Sequence, residues 1–127
     1  MILQDGTTNE EYGIELILDL YNCDLAKISD GEHIKKFLIE LCDHVIEMKR
    51  YGESFVEHFG HKNPITSGYS MVQLIETSNV SGHFSEHKKA AYVNIFSCRL
   101  FDDEKTAKFC QEWFGAKRVK KQVLERV

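Results

Sequence analysis

The sequence predicts an α+β fold: a two-layer sandwich, a mainly antiparallel sheet with two helices packed on one face. Three observations predict it. Apolar residues alternate with polar ones over several short stretches, the pattern of half-buried strands. Two other stretches repeat their apolar residues at helical spacing. In the middle of the chain, strand-type stretches follow one another with no helix between them, which favours antiparallel neighbours.

The elements follow in order. Tyr12–Tyr21 reads as a strand, with Ile14, Leu16, Leu18 and Leu20 alternating with Glu15, Ile17 and Asp19. Asn22-Cys23-Asp24 turns the chain. Ser29-Asp30-Gly31-Glu32 has the form of a capping box, with Ser29 as the helix cap. Ile34, Phe37, Leu38, Leu41, Val45 and Met48 then form one apolar helical face, and Gly52 ends the region. Ser54–Phe59 is a short strand, and Gly60–Gly68 is a loop holding the only proline, Pro64. Tyr69–Ser78 is a strand that ends on Ser78, and Asn79–Ser85 pairs with a neighbour. Ala90–Cys98 is a further strand, with Ala91, Val93 and Ile95 on one face. Asp102-Asp103-Glu104 places acids at a helix N-terminus, where the dipole favours them. Phe109, Cys110, Trp113 and Phe114 give that helix its apolar face, and Gly115 caps it. Lys117–Arg126 is the last strand. The free sheet face is then available for a dimer contact.

The chain of 127 residues fits one domain, 1–127, large enough to bury about two thirds of its unfolded surface. No repeat or low-complexity tract is visible. The net charge of −4 argues against a nucleic-acid partner held by phosphate contacts. Residues 1–77 carry 6 basic and 14 acidic side chains, whereas residues 78–127 carry 10 and 6, so the two parts attract each other weakly. The first 13 residues lack the basic and apolar regions of a signal peptide, and no apolar run reaches the roughly 20 residues of a membrane span. Cys23, Cys42, Cys98 and Cys110 have no CxxC spacing, which argues against a structural zinc and for free thiols in a cytoplasmic protein.

Candidate chemistry concentrates in residues 70–98, where Ser70, Ser78, His83 and Cys98 follow one another at separations of 8, 5 and 15. Spacing alone leaves ordinary readings open. Ser78 is then a strand-end hydroxyl, His83 a satisfied histidine, Cys98 a small buried hydrophobe and Ser70 a solvent-facing side chain.

The same residues carry a resemblance to the bacterial and archaeal S-adenosylmethionine decarboxylases. That family has a strand ending in Glu-Ser, a histidine five residues later, and a strand of the form Ala-Ala-x-Asp-x-Phe-Thr-Cys. Here these appear as Thr77-Ser78, His83 and Ala91-Tyr92-Val93-Asn94-Ile95-Phe96-Ser97-Cys98. A second processing serine, eight residues before the cleavage serine, appears as Ser70. Tyr12–Asp24 resembles the family's first strand. The resemblance implies self-cleavage between Thr77 and Ser78, giving chains 1–77 and 78–127 and a pyruvoyl group derived from Ser78. His83 and Ser70 would serve the processing, and Cys98 would donate the proton after decarboxylation. The substrate amine would form a Schiff base with the pyruvoyl ketone, which acts as the electron sink. The implied substrate is S-adenosylmethionine, feeding aminopropyl transfer for spermidine and other polyamines, and the implied assembly is a homodimer with sites shared between protomers.

Four departures matter. Thr77 replaces the glutamate of the cleavage pair, and Asn79 replaces a histidine. Pro64 stands where the family has an adenine-stacking phenylalanine. His87 stands where a glutamate holds the ribose hydroxyls, and Glu86, the substrate-binding candidate, lies one residue early. The nucleoside-binding positions therefore match less well than the catalytic ones. Alternatives are a pyruvoyl decarboxylase of ornithine or arginine and a non-processing regulatory homologue. His58, His61, His83 and His87 offer metal-ligand types, and His83 and His87 are four apart, but that segment reads as strand or loop rather than helix, and no metal is expected.

Overall fold

A computed structural model describes residues 10–127. Residues 1–9, which include most of the stretch read as lacking a signal peptide, lie outside the described residues. The described strands are β1 (Gly13–Tyr21), β2 (Arg50–Phe59), β3 (Gly68–Ile75), β4 (Ser78–Ser85), β5 (Ala90–Ser97) and β6 (Arg118–Arg126). They form one sheet in the order β2-β3-β4-β5-β1-β6, and every neighbouring pair is antiparallel. The helices are α1 (Leu25–Ile28), α2 (Gly31–Glu40) and α3 (Asp103–Phe114). The α+β sandwich is thus the architecture observed.

Alternation decides which face is covered. Leu16, Leu18 and Leu20 of β1 are fully buried under the helices, while Glu15, Ile17 and Asp19 sit on the other face. Ile34, Phe37 and Leu38 of α2 and Cys110 and Phe114 of α3 close the core. Phe114 lies 4.8 Å from Phe37 and 5.1 Å from Phe84, ring centre to ring centre, and so joins both helices to β4. The face away from the helices carries Ser70, Val72 and Leu74 of β3, Asn79, Ser81 and His83 of β4, and Tyr92, Asn94 and Phe96 of β5.

Four local expectations change. The cap of α2 is Asp30, whose carboxylate accepts from the Glu32 and His33 amides; the Ser29 hydroxyl instead donates to the Leu25 carbonyl and closes α1. The helical face expected to run to Met48 breaks after Glu40 into a π-helical turn, Leu41–Val45, and Met48 lies beyond it, still buried. Apolar spacing does not distinguish such a turn from an α-helix. Gly52 lies inside β2 at a bulge, with φ +73°, and the buried Gln73 side chain donates to the Tyr51 and Gly52 carbonyls exposed there. Finally, β3 stops at Ile75 and Ser78 opens β4 rather than closing β3.

Candidate active site

Ser78 follows a two-residue turn, Glu76-Thr77, that joins β3 to β4. Two-residue hairpins normally place positive φ inside the turn, where glycine or asparagine accepts it. Neither Glu76 nor Thr77 has positive φ; the unusual conformation falls on Ser78, at φ +153°. Residues with side chains rarely adopt this backbone, and such positions hold strain of order 1–3 kcal/mol. The strained dihedral adjoins the Thr77–Ser78 peptide bond itself.

The carbonyl of that bond is held. The Cys98 amide donates to the Thr77 oxygen at 2.9 Å, and Ser78 pairs with Ser97 across β4 and β5. The Asn79 side-chain amide donates to Ser78 Oγ at 3.3 Å. Thr77 turns its own hydroxyl inward, donating to Met48 Sδ at 2.9 Å. Glu76 points away, where its carboxylate meets Lys49 at 3.5 Å in solvent. Gly13 allows the close approach of β1 here, since a Cβ on it would lie 2.1 Å from the Ser97 oxygen and 2.7 Å from Cys98 Cα.

Cys98 differs from the other cysteines. Among the described residues all four are free, and Cys98 alone is exposed. Burial pushes the Cys23 thiol up to about 11 and the Cys42 thiol to about 12, and raises Cys110 as well. Those three are neutral core thiols. Cys98 is the one of the four that solvent or a ligand can reach.

Ser70 and His83 form a second group. They face each other across β3 and β4, and the Ser70 hydroxyl lies 2.8 Å from His83 Nδ1. His83 Nε2 lies 2.8 Å from the Thr66 carbonyl, which can only accept. Nε2 therefore carries a proton, and in the neutral ring Nδ1 accepts from the Ser70 hydroxyl. His61 stacks on His83 with ring centres 6.4 Å apart. Nearby, Glu86 Oε2 lies 2.8 Å from His58 Nε2.

The structure thus brings Ser78, Thr77 and Cys98 together, and Ser70 and His83 together, but separates the two groups. Ser78 and His83 are five residues apart along β4, a span of roughly 17 Å. A cavity of about 650 Å³, lined by Asn22, Cys23, Asp24, Lys89 and Lys117 among others, includes none of these residues. Residue pattern gives no sign of Met48, Asn79 or the Cys98 amide as partners of the Glu76-Thr77 turn and Ser78. The amide leaves no mark in a sequence, and Met48 reaches the turn only through the π-helical break. Among the described residues no three His, Cys, Asp or Glu side chains gather as a metal site, and no helix is long and apolar enough to cross a membrane.

Sheet order, helix placement and the turn under Ser78 define a two-layer α+β sandwich of the kind seen in adenosylmethionine decarboxylases. The adenosylmethionine decarboxylase from Aquifex aeolicus VF5 superposes with a TM-score of 0.75 at 24% identity, over 91% of this chain and 91% of that chain. Residues 14–127 match the family described as S-adenosylmethionine decarboxylase, and the chain belongs to that family. No curated protein matches the sequence significantly.

Proposed function

We propose that the chain is a self-processing, pyruvoyl-dependent S-adenosylmethionine decarboxylase, acting as a homodimer in the cytoplasm and supplying the aminopropyl donor for polyamine synthesis. The observation that carries this reading is the turn itself: a strained Ser78 beside a carbonyl that already accepts a hydrogen bond from the Cys98 amide.

Ser78 Oγ attacks the Thr77 carbonyl carbon, and the charge developing on the oxygen faces the Cys98 N–H. The C–N bond breaks, an ester to Oγ forms, and the proton from Oγ ends on the Ser78 amine. Loss of the Ser78 Cα proton then breaks the Cβ–Oγ bond and releases Thr77 as a carboxylate. Water adds to the resulting dehydroalanine and ammonia leaves, placing a ketone at residue 78. The strained, half-buried serine and the neighbouring exposed thiol suit such a group. A pyruvoyl ketone there supplies the electron sink for decarboxylation. Cys98 Sγ gives the proton that replaces the departing carboxylate.

Ser70 and His83 serve the processing step, but at roughly 17 Å they cannot reach Ser78 of their own chain. A two-fold dimer through the helix-free sheet face supplies them from the second copy. The exposure of Tyr51, Phe55, Val72 and Leu74, cross-strand neighbours on that face, supports this arrangement. Glu86 lies at the Ser70–His83 end and would meet the substrate there.

Intact mass of the purified protein is the test. Fragments 1–77 and 78–127, the second with a blocked N-terminus, are expected; an uncut 14.7 kDa chain overturns the reading and favours a non-processing homologue. Pro64, at the start of a 3-10 turn, and the exposed His87 keep a second substrate in view. Carbon dioxide release from S-adenosylmethionine is expected; release from ornithine or arginine alone would reassign the substrate.

A further inference from the structure

The Thr77 side chain is half-buried and its hydroxyl points under the sheet to Met48 Sδ, at 2.9 Å. Met48 is 3% exposed, so the thioether lies out of water. Its position is fixed from several sides. The Met48 amide donates to the Cys42 carbonyl at 2.8 Å, and the π-helical turn just before it closes through the Ile46 amide and the Leu41 carbonyl at 2.9 Å. The Arg99 guanidinium donates to the carbonyls of Ile46 and Glu47. The Ser97 hydroxyl lies 3.2 Å from the same sulfur. Ser97 immediately precedes Cys98, whose amide holds the Thr77 carbonyl. One sulfur therefore touches both the residue that carries the scissile carbonyl and the strand that carries its hydrogen-bond donor.

We propose that Thr77 Oγ1–H and Met48 Sδ form a positioning clamp for self-cleavage, holding the Thr77 carbonyl on the Cys98 amide while Ser78 attacks. The clamp rests on the self-processing reading. Thr77 has no side-chain part in the bond changes; its hydroxyl acts through the carbonyl it orients. A methionine is a weak acceptor, so the bond fixes direction without opposing the movement of the carbonyl carbon toward Ser78 Oγ. Misplacement of a reacting carbonyl by about 1 Å costs up to roughly a hundred-fold in rate.

The experiment is a cell-free translation time course, reading the appearance of fragment 1–77 by intact mass. Thr77→Val keeps the volume and removes the hydroxyl, and cleavage is expected to slow about ten- to a hundred-fold. Thr77→Ser restores the hydroxyl and most of the rate. Met48→Leu, which removes the acceptor, slows cleavage comparably. The double variant Thr77→Val with Met48→Leu is no slower than the slower single variant, because both remove one interaction. Wild-type rates in Thr77→Val, failure of Thr77→Ser to recover, or multiplying effects in the double variant each overturn the clamp. A wild-type chain that never cuts overturns the parent reading as well, whereas a wild type that cuts with Thr77→Val keeping pace removes the clamp alone.

Discussion

The β3–β4 hairpin has two chemically different ends. At the turn, Ser78 is strained, and beside the Asn79 side-chain amide its partners are backbone groups: the Thr77 carbonyl, the Cys98 amide and the turn itself. At the far end, Ser70 and His83 are unstrained cross-strand partners, linked side chain to side chain and oriented by the Thr66 carbonyl. On the proposed reading, one end holds the bond to be cut and has no base beside it. The other is a hydroxyl and imidazole with no reactive bond beside them. If self-cleavage needs both, neither end suffices alone, and the ladder between them keeps one chain from joining them.

Chain mixing breaks this comparison most sharply. Ser78→Ala and His83→Ala are each expected to abolish or nearly abolish cleavage alone. Co-expressed, the Ser78→Ala chain supplies His83 to a His83→Ala chain whose Ser78 is intact, and fragment 1–77 appears from the latter. Distinct mass tags identify the cut chain; no cut in the mixture removes the shared-site arrangement. Next in size is Gly13→Ala. Its methyl group would overlap the Ser97 oxygen and Cys98 Cα, pushing the amide donor away from Thr77. Overpacking of this kind costs about 1–3 kcal/mol. Cleavage should slow while the Ser70–His83 bond, seen in the imidazole nitrogen shifts, is kept; unchanged cleavage would show that the amide contact is idle. Leu74→Asp, on the exposed sheet face, should convert the dimer to monomer by light scattering and slow cleavage with it, since the monomer lacks the partner's base. The smallest effect belongs to Asp43, paired through two bonds with Arg50 at the start of β2. Arg50 holds the Asp43 carboxyl below its ordinary value of 3.8, so its stabilising contribution is complete above that value and is lost as pH falls through the lowered one. Asp43→Asn should cost about 0.2–1 kcal/mol in urea unfolding at pH 7 and less at pH 3.

Much of this was legible from residue pattern. Alternation in Ile14–Leu20 and Ala91–Ile95 gave both strands and the correct inward faces, because burial follows a period of two. The acids before α3 and Gly115 after it marked both ends; Gly115 adopts φ +65°. What escaped were features without a side-chain signature. The cap moved from Ser29 to Asp30, since either residue type satisfies a helix start. Ser78 passed from one strand to the next because its φ, not its type, sets the turn. The separation of five residues between Ser78 and His83 carries no geometry until the strand is known, and along a strand it is distance.

The strand order has a consequence for the life of the molecule. The bond after Thr77 lies in a surface turn, but the segments on its two sides are interleaved: β1 sits between β5 and β6, and β4 lies beside β3. A cut there leaves every ladder intact and yields two pieces that cannot part without losing three of them. The intact chain folds with its ends tethered; the cut one would have to reassemble from separate pieces at whatever concentration it finds itself. Cleavage would thus be a one-way gate, with heat inactivation of the mature form becoming irreversible on dilution while the precursor still refolds.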